Sequence, residues 1–217
     1  YSSSNTTYYF AAESGGGGTS PAVTGISPTT ILPSTSTQVT ITGTDFASVP
    51  IVNAINGSTG AIETPTAVTY TNSTTLVATF NISTLASYYI RVENATGLAG
   101  RSSSALLAVS TAPTWTTGAG SLGTIGGGSS VNLTAIGTSD STVSVSETTS
   151  VLTNNSDTPA STMNLTLNSS NGNITGTAPT PNATTTYNFT LRLTDAESQT
   201  ADRAFSITVT GGIEQSG

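Results

Sequence analysis

The sequence predicts an all-β protein made of two antiparallel β-sandwiches in tandem, preceded by an extended N-terminal strand. Hydrophobic and polar residues alternate with period two in many short runs, the pattern of strands buried on one face. Turn-forming residues separate these runs at short spacing, as they do in antiparallel sandwiches. No segment shows the periodicity of an amphipathic helix.

The first element, residues 1–20, is predicted to be a strand followed by a flexible linker. Residues 1–14 are polar apart from the aromatic cluster Tyr8, Tyr9 and Phe10, and residues 15–20 read GGGGTS. The aromatic cluster is apolar enough to form a strand, and a glycine run is typical of a flexible tether.

A first strand-rich domain is predicted over residues 21–110, where alternation is clearest around Leu76, Phe80 and Ile90. This domain resembles the IPT/TIG family of immunoglobulin-like (Ig-like) domains. The segments that carry the resemblance are AVTGISP (22–28), TQVTITGTDF (37–46), VTY (68–70), NSTTL (72–76) and YIRVEN (89–94). The match departs at LPS (32–34), where such domains usually carry glycines. The resemblance implies an Ig-like β-sandwich.

A second strand-rich domain is predicted over residues 111–211, and residues 212–217 form a short tail. It resembles the cadherin-like modules of the putative-Ig family, which occur in bacterial surface proteins and phage virion proteins. The segments that carry this resemblance are APTW (112–115), GNITGTAP (172–179), YNFT (187–190), TDAE (194–197) and FSITV (205–209). The resemblance implies a second Ig-like sandwich and leaves function open, because such modules serve as spacers, adhesins and fibre subunits.

The composition excludes most catalytic chemistry. The chain contains no cysteine, histidine or lysine, so it has no thiolate, imidazole base or reactive amine. Its four basic residues, all arginine, stand against eleven acids and give a net charge of −7, which disfavours nucleic acid as a partner. No apolar run is long enough for a membrane span. Few carboxylates remain to form the facing pair of a glycosidase, so the chain is predicted not to be an enzyme.

Calcium is the one cofactor considered. Cadherin-like domains bind it through clustered carboxylates, and Asp195, Glu197 and Asp202 lie close together in the sequence, where Asp140 could join them. Gly137 stands where such modules often place an aspartate. The alternative is that these are solvated carboxylates beside a hairpin turn.

Twelve of the fifteen asparagines open an N-x-S/T sequon, whereas the serine and threonine content predicts about five by chance. Either these are N-glycosylation sites of an exported protein, or strand alternation places polar residues on both sides of a buried one. The candidate sites are Asn5, Asn56, Asn72, Asn81, Asn94, Asn132, Asn154, Asn164, Asn168, Asn173, Asn182 and Asn188.

The N-terminal cluster predicts a mechanism of assembly. A strand on a flexible tether can pair with the sheet edge of a neighbouring molecule, so Tyr8, Tyr9 and Phe10 are the predicted assembly strand. Gly15, Gly16, Gly17 and Gly18 would be the hinge. The alternatives are a disordered terminus and a strand that folds back on its own domain.

These features predict a non-enzymatic structural subunit of an extracellular filament or surface appendage, whose partners are copies of itself in a homopolymer. Two alternatives stay open: a phage virion protein, such as a fibre or capsid decoration, and a carbohydrate-binding adhesin module that recognises surface glycans. The predicted location is extracellular or cell-surface, with the virion as alternative.

Overall fold

The computed structural model describes residues 18–153 and 162–211. Every regular element in these two ranges is a β-strand, so the all-β prediction is confirmed. Within them, no helix has the length and apolar character needed to cross a membrane. The chain divides into two compact units between Val109 and Ser110. The predicted extended N-terminal strand lies outside the described residues.

The described part of the first unit contains ten strands. They are β1 (Ala22–Ser27), β2 (Thr30–Ile31), β3 (Thr37–Thr44), β4 (Ile51–Asn56), β5 (Ile62–Glu63), β6 (Ala67–Asn72), β7 (Thr75–Phe80), β8 (Ala86–Glu93), β9 (Ala99–Arg101) and β10 (Leu107–Val109).

Two sheets pack face to face in this unit. One has the order β1-β3-β7-β6, and the other has the order β2-β10-β8-β4-β5 with β9 also paired to β8. All pairs are antiparallel except β2 with β10. The core comes from the alternating positions that the sequence indicated, because the inward residues of each strand are removed from water. Fully buried members are Val39, Ile41, Ala54, Leu76, Ala78, Phe80, Tyr88, Ile90 and Val92.

Gly43 shows why the TQVTITGTDF segment contains a glycine. A Cβ at this position would lie 1.9 Å from the carbonyl oxygen of Ala22 and 2.5 Å from the ring of Phe46. The close approach of β1 to β3 therefore excludes any side chain there. Phe46 is 3% exposed and closes the core at this end of the strand pair.

The described part of the second unit contains nine strands. They are β11 (Thr114–Trp115), β12 (Gly120–Gly126), β13 (Ser130–Thr134), β14 (Gly137–Thr138), β15 (Val143–Glu147), β16 (Thr166–Leu167), β17 (Asn173–Thr177), β18 (Thr185–Asp195) and β19 (Thr200–Thr210).

These strands form a four-stranded sheet of order β12-β19-β18-β15, a three-stranded sheet of order β13-β17-β16 and the pair β11-β14. The strand β12 runs parallel to β19, and the other pairs are antiparallel. The long hairpin β18–β19 supplies much of the core through its alternating residues Tyr187, Phe189, Leu191, Leu193, Phe205, Ile207 and Val209. The two units thus have separate hydrophobic cores, one in each sandwich.

Candidate functional site

A hydrogen-bonded carboxylate holds the first residues of the second unit. The Oδ1 atom of Asp140 accepts hydrogen bonds from the Thr111 hydroxyl at 2.7 Å, the Thr111 amide at 3.0 Å and the Ser110 hydroxyl at 3.1 Å. Desolvation acts to raise the pKa of Asp140, but the hydrogen bonds, led by the Thr111 hydroxyl, outweigh it and hold the pKa below its ordinary value. Asp140 is therefore a structural acceptor that stays ionised.

Two further acids share this region. Glu197 accepts a hydrogen bond from the Ser141 hydroxyl, and its carboxylate also lies 3.3 Å from the Ser110 hydroxyl, whose single proton it shares with Asp140. The buried Asp195 accepts one from the Gln199 amide at 2.7 Å, which closes the β18–β19 turn. The Ser110 hydroxyl thus contacts two carboxylates that are 30 and 87 residues away in the sequence.

The calcium candidates are divided by this geometry. Asp195 and Glu197 lie near Asp140. Asp202 instead forms a bidentate ion pair with Arg192 on the outer face of the β18–β19 hairpin, with nitrogen–oxygen distances of 2.7 and 2.8 Å. Across residues 18–153 and 162–211, no group of three or more His, Cys, Asp or Glu side chains could hold a metal ion. Calcium binding therefore stays a prediction without a ligand set.

Glu147 is a structural carboxylate that the sequence analysis missed. It lies at the end of β15, and its oxygens accept hydrogen bonds from the amides of Val151, Leu152 and Thr153 at 2.6, 2.8 and 2.9 Å. Desolvation acts to raise the pKa of Glu147. The hydrogen bonds from these amides, of which that from Leu152 has the largest effect, outweigh desolvation and lower the pKa. The sequence feature that could have indicated this role is an acid at the end of a strand, followed by the turn-forming run TTS.

Trp115 and Arg203 also have structural roles in the second unit. The Trp115 indole donates to the carbonyl of Ala201 at 3.0 Å and meets the Phe205 ring edge-on, with centroids 5.1 Å apart. Arg203 donates to the carbonyl of Thr117 at 2.6 Å. Both side chains therefore tie the segment around β11 to β19.

The adhesin alternative needs an exposed aromatic ring. Tyr70 on β6 is 38% exposed and stays a candidate, and a second candidate is Tyr89 on the outer face of β8. The Tyr89 ring is half-buried, and the guanidinium of Arg101 lies 4.2 Å from its centroid. Arg91, on the same face, contacts Asn53 at 3.3 Å and pairs with Glu93. One face of the ring is therefore already covered by a side chain of its own domain, which disfavours stacking of a sugar on that face.

The sequon asparagines differ in exposure. Those exposed to solvent are Asn72, Asn81, Asn132, Asn164, Asn168, Asn182 and Asn188. Asn173 is half-buried and accepts a hydrogen bond from the Thr134 hydroxyl at 3.1 Å. Asn5 and Asn154 lie outside the described residues.

Asn56 and Asn94 are buried and bind backbone groups. The Asn94 amide nitrogen donates to the carbonyl of Asp45 at 2.8 Å, and its oxygen accepts from the Ala47 amide at 3.0 Å. The Asn56 oxygen accepts from the amides of Ser58 and Thr59. These two side chains are engaged in loop structure and have no room for a glycan in the folded domain.

We expect N-glycosylation, if the chain is produced in a host that performs it, to follow this division. Glycopeptide mass spectrometry of the folded, secreted chain should find glycans at exposed sites such as Asn81 and Asn188. It should find Asn56 and Asn94 unmodified, because their amides are buried. A glycan on Asn94 in folded, monomeric protein would contradict the structural role of that residue.

The predicted assembly strand cannot be placed. Tyr8, Tyr9 and Phe10 lie outside the described residues, as do Gly15, Gly16 and Gly17 of the hinge. Gly18 is the first described residue, and it is exposed and outside any strand.

Two parts of the chain match models of known domain families. Residues 21–109 match the family model of the IPT/TIG domain, and residues 121–210 match that of the Putative Ig domain. The two resemblances predicted from the sequence are confirmed, in the same order. A search of curated proteins found no match.

Solved structures with similar folds are tandem Ig-domain proteins. The alignment with extracellular domains 3–5 of Drosophila OTK covers 88% of this chain and 60% of that chain, at 12% identity and a TM-score of 0.50. The titin domains Z1Z2, solved in complex with telethonin, align over 90% and 99% of the two chains at 14% identity and a TM-score of 0.31. The fold prediction of two tandem Ig-like sandwiches is confirmed.

Proposed function

We propose that this tandem of an IPT/TIG domain and a putative Ig domain is a non-enzymatic structural subunit of an extracellular filament or surface appendage. Tandem Ig-like sandwiches are typical of surface and adhesion modules, where they serve as spacers and binding surfaces. The coarse conclusion is therefore a surface or adhesion-type module. Polymerisation through the N-terminal strand is the finer proposal.

The proposal that the chain is non-enzymatic is supported by the groups to which its carboxylates are hydrogen-bonded. In a chain without histidine, cysteine or lysine, these are the main remaining groups for acid–base chemistry. Asp140, Glu147 and Asp202, three of the eleven acids, are each bound to amides, hydroxyls or arginine, and each of their pKa values is lowered. A glycosidase needs one carboxyl group with a raised pKa as its general acid, which is the opposite shift.

The assembly proposal is supported by the aromatic cluster and glycine run of residues 8–18. An added strand gains main-chain hydrogen bonds along a sheet edge and buries alternate side chains. Without lysine, a Lys–Asn isopeptide bond within the chain is impossible, and without cysteine so is a disulfide between copies. Contacts between copies in such a polymer would therefore be non-covalent.

The test is electron microscopy with size-exclusion chromatography of two proteins, the intact chain and a chain that lacks residues 1–20. All described strands begin at Ala22 or later, so the truncation removes none of them. We expect filaments or oligomers from the intact chain and monomers from the truncated one. If both are monomers, the N-terminal segment is not a self-assembly strand, and the virion or adhesin alternative becomes the leading function.

A further inference from the structure

The strand β6 is an unprotected sheet edge in the first domain. It is last in the order β1-β3-β7-β6 and pairs along one side with β7. Five of its six residues are exposed, and Val68 is half-buried. The segment AVTYTN contains no charged residue and no proline, the features by which proteins usually prevent pairing at an edge.

The core-facing side of β6 is also open. Val68 and Tyr70 lie opposite Ala78 and Leu76 of β7, so their side chains are on the inner face of the sheet. Ala78 and Leu76 are fully buried, yet Tyr70 is 38% exposed. The sandwich therefore lacks apolar cover beside Tyr70, at the position where one more strand would lie.

Other edges are shorter, rich in glycine or already covered. At β15, the Val145 amide donates to the carbonyl of Ser169 at 2.8 Å. The edge strand β12 (GSLGTIG) has glycine at three of its seven positions, so it offers few side chains for an added strand to pack against. The edge strand β13 has an inward residue, Val131, that is only 3% exposed, so its core side is covered. Among the edges of the described sheets, β6 thus combines length with an open inner face, and its pairing with β7 is regular from Ala67 to Tyr70, before a register shift between Tyr70 and Asn72.

We propose that the β6 edge of one copy accepts the segment 8–12 of a second copy as an added strand. The period of a strand would place Tyr8 and Phe10 on the core side, beside Tyr70 and Val68, with Tyr9 on the outer face. This inference rests on the proposed function, because it names the acceptor of the donated strand.

A second copy is the favoured donor because of where the chain enters the sheet. The N-terminal segment leads into β1, which is one edge strand, and β6 is the opposite edge strand of the same sheet. A donor at one edge and an acceptor at the other make a head-to-tail contact, which gives an open filament when the rotation between copies does not close a ring. Each added copy would leave one unfilled β6 edge for the next.

The absence of cysteine allows a direct test by disulfide trapping. A donor chain carries Tyr9→Cys, and three acceptor chains carry Ala67→Cys, Thr69→Cys or Thr71→Cys; all three positions are exposed, and Thr71 lies in the register shift between Tyr70 and Asn72. Facing residues on adjacent strands have Cβ atoms about 4.5–5.5 Å apart, close to disulfide range. The three positions cover neighbouring registers. Matched control acceptors carry Asn132→Cys or Thr134→Cys, which are exposed on β13.

Donor and acceptor chains of different tag length are mixed, oxidised mildly and separated on a non-reducing gel. We expect the mixed disulfide with a β6 acceptor and at least tenfold less with either β13 control.

Assembly that depends on residues 1–20, without the mixed disulfide at any β6 position, would overturn this inference and leave the proposed function standing. If the intact chain does not assemble, both fail. A double variant Tyr9→Cys/Thr69→Cys that closes an internal disulfide as a monomer would also overturn it.

Discussion

Replacing Phe205 by alanine is expected to lower the free energy of unfolding of the second domain by about 3–5 kcal/mol, the usual cost of removing a buried aromatic side chain. Phe205 is 2% exposed and lies in the middle of β19. It contacts the ring of Trp115 edge-on and lies opposite Phe189 across the hairpin, with ring centroids 6.3 Å apart. Its removal leaves a cavity that the rigid β18–β19 ladder is unable to close.

Urea denaturation followed by tryptophan fluorescence measures this effect. Trp115 is the sole tryptophan of the chain and packs in the second domain, so its emission reports that domain. The matched control is Phe80→Ala, which removes a fully buried ring from the first domain. We expect the control to leave the fluorescence midpoint nearly unchanged. Equal shifts in both variants would contradict the assignment of two separate cores.

Replacing Glu147 by glutamine is expected to cost about 2–3 kcal/mol, because hydrogen bonds to a charged acceptor are worth more than neutral ones. The carboxylate organises the loop after β15 through three amides and the hydroxyls of Thr149 and Thr153. That loop brings Leu152, fully buried, into the core. The matched control is Asp202→Asn, whose carboxylate is exposed and paired with Arg192, and which should change stability much less.

The effect of Glu147 should depend on pH with a defined sign. Its pKa is lower in the folded protein than the ordinary value of 4.5, so its contribution is present above that value and is lost as the pH falls through the folded pKa. Thermal unfolding at a series of pH values should therefore show a large difference between wild type and Glu147→Gln near neutral pH. The difference should shrink as the pH falls below 4.5 and through the lowered pKa of the folded protein. A difference that does not change with pH would mean that the charge of Glu147 contributes nothing.

Local patterns predicted the sandwiches because the features that form strands are themselves local. The alternation of Tyr187, Phe189, Leu191 and Leu193 is visible in the sequence and is the buried face of β18. The order of the two domains was predicted from short sequence motifs, which are also local features. A period of two is repeated within each strand, so no knowledge of the partner strand was needed.

The polar contacts were not predictable from such patterns. The side chains of Ser110 and Glu197 are in contact although 87 positions separate them in the sequence, and no local motif links them. The sequon pattern is the same at Asn94 and Asn188, yet Asn94 is buried and Asn188 is exposed. Burial of an asparagine depends on which loop backbone groups need a partner, and tertiary packing decides this.

Donation of residues 8–12 as an added strand can be tested by supplying that strand as a free peptide. The measurement is the molar mass of the intact chain by light scattering, with and without a peptide of residues 1–14. The control peptide has Tyr8, Tyr9 and Phe10 replaced by serine. We predict that the native peptide lowers the mass of the assemblies toward that of one chain, because it occupies the β6 edges, and that the control has no effect. Assemblies whose mass is unaffected by excess native peptide would contradict strand donation.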